Sequence, residues 1–516
     1  MKDYLIGMDC GTTNLKAVIM DGDGCVLASA GRPSSFISMG VGGREQDPNE
    51  WWENAADILK ELSQAVGEEA VKYIRGICIS SHTVTMLPVD VSGIPLRNAV
   101  TYQDSRSAYE LEEIVNAVGF ENFVKIVGGQ PSTAFLPNKI LWLKKNEPEV
   151  FARTHYFLQA SSYINFKLTG NMTMDLDQAL RTQCMDCNTF EWSEEIAKAI
   201  GVDLNRMLPK PVSMDTVIGT VTKEAAERTG LAEGIPVLAG CCDATASMYA
   251  SGLVRCGEAT ESSGTTSLVF VGSQEKSPSD IPVVTRPCVL ERMPWVFDAP
   301  IQATGAAIKW YIDTLGAEAL QKASQQGKDI YSYLNELALE SKAGADGLFF
   351  FPYLSGERAP LWNDHARGMF IGLGINTSQA DLIRSVFEGT AYALRHVLET
   401  VKAYGGEAKM LRICGGGAKS RTWCQIKASV LRMPVYLLDE NAGDVPVGDA
   451  LIAGHKVGVF PDLSEAVEKI IKVSTVIEPV EAWADAYDRL YPYYIDMYCH
   501  LDEDLKRLRY TIKELM

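Results

Sequence analysis

One short pattern occurs twice in this chain and constrains its fold more than any other feature. Residues 5–20 read as an apolar strand, a Gly-Thr-Thr turn and a second apolar strand, and residues 258–271 repeat this order. Each Gly-Thr-Thr therefore lies in a β-hairpin. A Rossmann or Walker loop opens a helix after its glycines, so the pattern excludes both motifs here. The duplication predicts two similar halves that each supply one backbone loop.

The length of the chain also requires more than one domain. A single hydrophobic core rarely grows beyond about 250–300 residues, and this chain has 516. Strand patterns alternate with helical patterns throughout, which predicts the α/β class. Helices are predicted over 51–65, 135–146 and 379–404. The predicted units are an N-terminal domain over 1–250, a C-terminal domain over 251–477 and a helical cap over 478–516.

Composition excludes several classes of partner. The net charge of −18 argues against nucleic acid, because phosphate contacts need a basic surface. No apolar stretch reaches the roughly 18 residues of a membrane-spanning helix, and no signal-peptide block opens the chain, so we predict no membrane partner and a cytoplasmic location. Most of the 12 cysteines lie in apolar runs, and Cys184 and Cys187 form a lone C-x-x-C that is too little for a zinc site. A homodimer is left open.

The two glycine loops suit phosphate binding. A loop of Gly and Thr can aim several N–H groups at one anion, and two such loops could hold a triphosphate between them. The alternative is an ordinary hairpin turn. Asp9 comes directly before the first loop, where its carboxylate could hold Mg²⁺ or cap the loop.

Asp243 is the best candidate for a general base. It follows the apolar run 234–242 and precedes the small residues 244–247, which leave room for a ligand. A carboxylate at the end of a buried strand can accept a proton from a substrate hydroxyl. The alternative, which does not exclude catalysis, is that Asp243 is the N-cap of the following helix.

A third stretch, Gly415–Ser420 (GGGAKS), also follows a strand and precedes a helix. It differs from a Walker loop because Ala418, not Gly, stands before Lys419. Three glycines let a flat ring lie against the backbone. The stretch therefore fits an adenine site better than a phosphate site.

Several long motifs resemble the FGGY carbohydrate kinases. They are the stretch 351–360 (FPYLSGERAP) with 362–373, the stretch 415–420 (GGGAKS) with Trp423, Gln425 and 434–435, and the stretches 45–48 (EQDP) with 51–52 and 103–106 (QDSR). The likeness runs from about residue 8 to about residue 458 and keeps the order of the motifs. It implies two ribonuclease H-like domains of the actin and hexokinase superfamily, with ATP in the cleft between them.

The resemblance also implies roles for individual residues. Asp243 would take the proton of the sugar hydroxyl, and Asp9 and Asp243 would lie at Mg²⁺. The nucleotide would be bound by Asp9, Gly11, Thr12, Thr13, Lys16, Gly264, Thr265, Thr266, Gly416, Gly417, Ala418 and Ser420. Phosphoryl transfer needs mainly alignment and charge neutralisation, which such loops supply.

The best overall likeness is to xylulokinases. Their sugar pocket carries Gln-Met-His-Gly where this chain has His82, Thr83, Val84 and Thr85. His82 could bind a sugar hydroxyl or be a buried structural histidine, and Asp104 and Arg106 could bind hydroxyls or pair with each other; the substrate set is His82, Thr83, Val84, Asp104, Arg106 and Asp243.

The resulting expectation is an ATP- and Mg²⁺-dependent kinase for a ketopentose or related polyol. Alternatives are a kinase for gluconate, a glycerol-like polyol or another ketose, and a non-catalytic ATP-binding member of the superfamily.

Overall fold

The structure, a computed structural model, describes residues 3–439 and 442–515. In the first half of the chain the strands are β1 (Tyr4–Cys10), β2 (Asn14–Asp21), β3 (Val26–Pro33), β4 (Ile37–Ser38), β5 (Arg44–Gln46), β6 (Ile74–Ser81), β7 (Leu87–Val89), β8 (Ala99–Val100), β9 (Tyr156–Leu158), β10 (Met174–Asp175), β11 (Met185–Asp186), β12 (Glu191–Trp192), β13 (Pro211–Val212), β14 (Val217–Thr220) and β15 (Pro236–Leu238). The helices of this half are α1 (Pro48–Val66), α2 (Glu68–Val71), α3 (Ala108–Val118), α4 (Phe120–Val127), α5 (Leu136–Asn146), α6 (Pro148–Arg153), α7 (Ala160–Thr169), α8 (Leu176–Arg181), α9 (Glu194–Ile200), α10 (Leu204–Met207), α11 (Lys223–Thr229) and α12 (Asp243–Ala250).

The second half continues the alternation of strands and helices. Its strands are β16 (Gly257–Ser263), β17 (Ser267–Ser273), β18 (Val284–Leu290), β19 (Met293–Ile301), β20 (Phe349–Phe351), β21 (Met369–Ile371), β22 (Ala408–Cys414), β23 (Val435–Leu438) and β24 (Val473–Ile477). Its helices are α13 (Gly305–Leu315), α14 (Ala317–Gln325), α15 (Ile330–Glu340), α16 (Gln379–Ala403), α17 (Arg421–Leu431), α18 (Val445–Lys456), α19 (Leu463–Ile470) and α20 (Glu481–Leu515), with short 3₁₀ turns at Ala345–Gly347 and Gly416–Lys419.

Two large sheets carry the same strand arrangement. The first has the order β14-β15-β6-β1-β2-β3, and the second has the order β18-β19-β17-β16-β22-β23-β24. In each, the hairpin strands pair antiparallel while the next two strands run parallel to the first strand of the hairpin. This shared order is that of two ribonuclease H-like domains, so the predicted α/β fold with two such domains is confirmed.

The two glycine hairpins occupy equivalent places in the two sheets. β1 and β2 join through Gly11–Thr13, with Cys10 opposite Leu15. β16 and β17 join through Gly264–Thr266, with Ser263 opposite Ser267. Because both hairpins turn at the end of the first strand of a sheet, both loops emerge at the carboxyl end of the parallel strands. The duplication read from the sequence is therefore a duplication of structure.

Helices cover the first sheet on both faces. Residues of α1, α7 and α11 pack with one face, and residues of α12 and α18 pack with the other. Helix α18 approaches so closely that a Cβ on Gly7 would lie 1.8 Å from the Pro446 carbonyl oxygen, and one on Gly448 would lie 2.0 Å from that of Ala246. Although α18 lies between β23 and β24 of the second sheet in sequence, it packs against the first sheet.

The predicted helices form with small changes at their ends. The predicted span 51–65 lies inside α1, which begins at Pro48 because the Asp47 carboxylate caps Asn49. The span 379–404 corresponds to α16, which starts at a capping box of Ser378 and Asp381. The span 135–146 corresponds to α5.

The segment after residue 478 forms one long helix, α20, whose Tyr487 and Tyr494 are buried in the core of the second half. The domain boundaries at 250 and 477 stay predictions. The first predicted unit includes Met1 and Lys2 and the last includes Met516, and these three residues lie outside the described residues.

Within residues 3–439 and 442–515, we find no helix long and apolar enough to cross a membrane. The 12 cysteines are all free thiols, and Cys184 and Cys187 are among the buried ones. Burial raises the pKa of both thiols, which favours the protonated form.

Candidate active site

The carboxyl ends of three parallel strands bring Asp9 and Asp243 to one place. β6 pairs in parallel with both β1 and β15. Asp9 is the penultimate residue of β1, and Asp243 opens α12 five residues after β15 ends. The turn between β15 and α12 is tight. Gly240 in this turn has φ +84°, and a Cβ there would lie 1.9 Å from the Ile79 carbonyl oxygen. The strand order thus explains why two carboxylates that are remote in sequence become neighbours.

Asp9 lies in a site with an excess of negative charge. Burial raises the pKa of Asp9 well above its usual value, and the charges of Asp243 and Asp444 raise it further while Lys16 lowers it. Its Oδ1 is buried and has no hydrogen-bond partner. A cation at this point would satisfy the oxygen and neutralise the charge, so the residues present fit Mg²⁺.

Among the residues that the structure describes, no group of three or more His, Cys, Asp or Glu side chains could enclose a metal. Mg²⁺ is usually held by one or two carboxylates with substrate phosphates and waters, so a site of Asp9 and Asp243 suits it better than a cage. The predicted metal ligands Asp9 and Asp243 therefore fit this chemistry, and their assignment stays a prediction.

Asp243 is the first residue of α12 and not its cap. Cys242 takes the N-cap position. Oδ1 of Asp243 accepts hydrogen bonds from the Ala244 N–H at 2.7 Å and from the Cys242 thiol at 3.0 Å. The alternative that Asp243 is the N-cap is therefore wrong by one residue. The helix begins at Asp243 and not at Ala244, so the N-cap position falls on Cys242.

The second glycine loop lies between the start of α13 and a buried group of hydrogen-bonded polar side chains. The Gly305 N–H donates to the Gly264 carbonyl at 3.1 Å, and the Thr304 N–H donates to that of Thr265 at 3.3 Å. A Cβ on Gly305 would lie 2.3 Å from the Gly264 oxygen. The start of α13 thus fixes the path of the loop.

A buried ion pair of Lys427 and Glu261 lies below the loop. Lys427 donates to both oxygens of Glu261 at 2.7 Å, and Glu261 accepts from the Ser267 hydroxyl at 2.7 Å. Lys427 and Glu261 are each 1% exposed. Because neither group can move without leaving the other unpaired in the core, this pair holds the base of the β16–β17 hairpin rigid.

A cavity of about 600 Å³ lies beside this loop. Its lining includes Ser263, Gly264, Thr265, Gly305, Ala306, Ile308, Lys309, Asp329, Tyr331, Ser332, Asn335, Phe387, Gly416, Gly417, Lys419, Ser420 and Trp423. The size and the mixture of apolar walls with a few polar groups are typical of a small-molecule site. Of the residues predicted for the nucleotide, five line this cavity, and the GGGAKS stretch forms one side of it.

Of the four residues in that stretch that were predicted to bind the nucleotide, Ala418 is the exception. It packs against the apolar cluster between the second sheet and the neighbouring helices and is not in the cavity lining. Sequence reasoning also missed the helix α13–α15 side of the cavity, represented by Lys309, Tyr331 and Asn335. These residues carry no motif, but the small pair Gly305 and Ala306, which begins four residues after β19 ends, could have indicated a close approach.

His82 has protein partners on both ring nitrogens. Nδ1 lies 2.9 Å from the Cys10 carbonyl oxygen, and Nε2 lies 2.9 Å from the Thr85 hydroxyl. Burial lowers the pKa of His82, so the neutral ring is favoured. This arrangement favours the structural alternative for His82.

The neighbours of His82 divide in their surroundings. Val84 is 0% exposed and packs in an apolar cluster with φ +41°. Thr83 keeps a buried hydroxyl with no hydrogen-bond partner. Of the two, Thr83 therefore has the free polar atom that a sugar hydroxyl would need, whereas Val84 is a core residue.

Asp104 and Arg106 pair with each other and with the surrounding protein. The Arg106 guanidinium lies 2.7 Å from Asp104 and 2.6 Å from Glu45. Asp104 also accepts the Arg44 N–H at 2.8 Å. These contacts favour the pairing alternative and leave Asp104 only 2% exposed.

Tyr102 was not singled out from the sequence. Its hydroxyl accepts a hydrogen bond from Thr12 at 3.5 Å, and its ring lies 6.3 Å from that of His82. It therefore joins the first glycine loop to the predicted sugar side.

The comparisons with known proteins cover nearly the whole chain. Residues 4–250 match the N-terminal domain model of the FGGY family of carbohydrate kinases, and residues 259–457 match the C-terminal domain model. A xylulose kinase from Staphylococcus epidermidis is 30% identical over 500 residues, which are 96% of this chain and 97% of that protein. A gluconokinase from Bacillus subtilis is 26% identical over 502 residues, 96% of each chain.

A solved structure extends this likeness to three dimensions. The crystal structure of a xylulose kinase from Rhodospirillum rubrum matches with a TM-score of 0.89 and 30% identity, over 98% of this chain and 100% of that one. The duplicated glycine loops, and the two carboxylates at the strand ends of the first sheet, thus lie within the residues that the two family models match. This protein belongs to the FGGY family of carbohydrate kinases.

Proposed function

We propose that this kinase transfers the γ-phosphate of ATP to a hydroxyl of a ketopentose of the xylulose type. The observation that carries the proposal is the meeting of Asp9 and Asp243 at the strand ends that also present the first glycine loop. Relatives named xylulose kinase at up to 30% identity over nearly full length support the choice of sugar.

Asp243 acts as the general base in this proposal. Its position at the start of α12 leaves it partly exposed beside Asp9, where a substrate hydroxyl can reach it. Such a base typically contributes 10²–10⁴-fold to the rate. Asp9 would hold Mg²⁺, which supplies positive charge to the phosphate oxygens when bound.

The nucleotide would lie between the two lobes. The loops Gly11–Thr13 and Gly264–Thr266 would bind the phosphates through backbone N–H groups, although the Gly264 N–H itself donates to the Thr266 carbonyl at 3.0 Å. Lys16, which is exposed on β2 opposite Asp9, would add positive charge. The cavity of about 600 Å³ beside Gly264 would take the adenosine, with Gly416 and Gly417 along one side.

A sugar acid is the second candidate substrate. The gluconokinase relative matches as much of the chain as the xylulose kinases do. In addition, the predicted sugar side carries Thr83 and Val84 in place of a Met-His pair.

A cytoplasmic location and a homodimer stay predictions.

A coupled ADP-release assay over a panel of substrates tests the proposal. The panel holds D-xylulose, L-xylulose, D-ribulose, gluconate and glycerol, each with and without Mg²⁺. We expect Mg²⁺-dependent release with a ketopentose and phosphosugar in equal amount. Release that depends on gluconate alone would favour the second candidate. ATPase activity that needs no sugar and yields no phosphosugar would overturn both and support a non-catalytic or ATPase role.

A further inference from the structure

Helix α8 is a short buried helix that no motif singled out. Asp177 and Gln178 are 0% exposed, and Arg181 is 9% exposed. The Gln178 amide donates to the Ser81 carbonyl at 3.1 Å, at the end of β6. A six-residue helix with three buried polar side chains is costly unless each side chain finds partners, so the partners indicate its role.

Asp177 holds the residues on either side of Asp243. Its Oδ2 accepts the Cys242 N–H at 3.1 Å and the Thr245 hydroxyl at 2.6 Å. Asp243 lies between these two residues in sequence and begins α12. The carboxylate therefore binds a backbone donor at the helix N-terminus, where negative charge is favourable, and fixes the first turn from both ends.

Arg181 extends this contact to the other lobe. Its Nε donates to the second oxygen of Asp177 at 3.0 Å, and its terminal nitrogens donate to the Thr245 hydroxyl at 3.2 Å and to Asp298 at 2.8 Å. Asp298 lies on β19 of the second sheet. One guanidinium thus joins the helix that carries Asp243 to the lobe that carries the second glycine loop.

We propose that Asp177 and Arg181 are positioning residues that hold Asp243 in register with the second lobe through Asp298. This inference rests on the proposed function of Asp243 as the general base. A displacement of about 1 Å at a reacting group can cost roughly 10²-fold in rate, so a fixed first turn of α12 has a direct kinetic value.

The test is Asp177→Asn, which keeps the shape of the side chain but removes its charge. We expect kcat for the sugar to fall about 10- to 100-fold, with the KM for ATP within about twofold. The ratio of ADP released to phosphosugar formed should rise. A displaced base activates the sugar hydroxyl less well, so this hydroxyl competes less well against water for the phosphate. In an Asp243→Asn background the same substitution should lower kcat by less than about threefold, since the residue it positions is already lost.

Glu388→Gln is the matched control. Glu388 is 2% exposed and pairs with Arg384 at the same i,i+4 spacing, while its other partners are Gly344 and Tyr487. We expect Glu388→Gln to lower the melting temperature and leave kcat within about twofold. A general loss of stability would therefore be visible in both variants, but loss of kcat only in Asp177→Asn.

Two further variants keep the inference falsifiable if Asp177→Asn fails to fold. Thr245→Val removes one hydrogen bond to Asp177, and Asp298→Asn weakens the contact between the lobes; each should lower kcat by about 3- to 10-fold. A wild-type chain that phosphorylates no sugar would overturn the proposed function. An active wild type with unchanged kcat in these variants, or equal losses with and without Asp243, would overturn this inference alone.

Discussion

At the scale of single residues, Asp9 and Asp243 are the carboxylates that we propose for a cation and for the general base, and they share one strand edge. Both carboxylates lie where β1, β6 and β15 end, and burial with mutual repulsion raises the pKa of Asp9. A buried carboxylate oxygen without a hydrogen-bond partner, such as Oδ1 of Asp9, is costly to the ligand-free protein, so the site favours a positive charge.

The first prediction concerns Asp243. Asp243→Asn should leave nucleotide binding largely intact, because the cavity residues lie on the other lobe, but kcat should fall by about two or more orders of magnitude. Turnover is measured by ADP release and nucleotide affinity by calorimetry. Asp57→Asn, a surface carboxylate that pairs with Arg228, is the control and should behave as wild type. Near-normal turnover of Asp243→Asn would refute its role.

Lys139 supports a prediction about pH. Its Nζ is buried and donates to the carbonyls of Thr133 and Ala134, and burial lowers the pKa of Lys139 to about 7. An unfolded lysine titrates near 10.4, so between pH 7 and about 10 the unfolded chain binds more protons and stability rises with pH. The ionised, buried amine is least favourable below pH 7.

Lys139→Met removes this titration. We therefore expect the melting temperature of the wild type, measured relative to that of Lys139→Met, to increase from pH 6 to pH 9. Thermal unfolding at several pH values checks this. Lys60→Met, at an exposed position, should show a constant difference across the same range. A flat difference for Lys139→Met would mean that the amine is not buried as described.

At the scale of elements, the close approach of α13 to the second glycine loop makes a testable prediction. Gly305→Ala would place a Cβ 2.3 Å from the Gly264 carbonyl oxygen, so the loop must move. We expect the KM for ATP to rise by about 10-fold or more. The melting temperature should also fall, because the clash is with backbone and no side-chain rotation can relieve it.

Gly374→Ala is the control for this change, because the nearest atom to its added Cβ is the Thr377 hydroxyl at 3.9 Å. It should leave the KM for ATP unchanged. An equal KM for Gly305→Ala and wild type would show that the loop does not bind the nucleotide or adapts without cost.

The same elements show how far the sequence predicted the site. Both hairpins and the strand before Asp243 were predictable, because short apolar runs and Gly-Thr-Thr turns are local signals. The α13–α15 wall, with Lys309 and Asn335, was not predictable, because only tertiary packing brings those helices to the loop.

Single side chains on the sugar side were also beyond the sequence. Polar residues such as His82, Asp104 and Arg106 read equally well as ligands or as partners of the protein. Which holds depends on contacts with Cys10, Thr85 and Glu45, and these residues are remote in sequence or carry no motif.

At the scale of the whole molecule, a second contact joins the lobes through Lys276. Its Nζ donates to the Cys187 carbonyl and, at 3.3 Å, to Asn188. It also lies over the rings of Phe190 and Trp295, which stack on each other at 6.1 Å. Lys276 and Trp295 belong to the second half of the chain and the other residues to the first.

We expect Lys276→Met to favour a more open arrangement of the lobes. Loss of two cation–π contacts and two hydrogen bonds costs on the order of 1 kcal/mol, which should raise the KM for the sugar several-fold with little change in kcat. Steady-state kinetics with varied sugar checks this. Lys409→Met, with a side chain 74% exposed, is the control. An unchanged KM would show that this contact does not influence closure.

The crossing of α18 from the second half to the first sheet has a consequence for any attempt to divide the molecule. Val447 and Leu451 of α18 pack in one apolar cluster with Leu5 and Val18 of the first sheet. If the polypeptide were cut after residue 250, the N-terminal fragment would lack this cover and expose a large apolar face. Each fragment expressed alone should therefore aggregate. Co-expression should let the two fragments reassemble into an active enzyme, because the C-terminal fragment carries α18, which covers the apolar face of the first sheet.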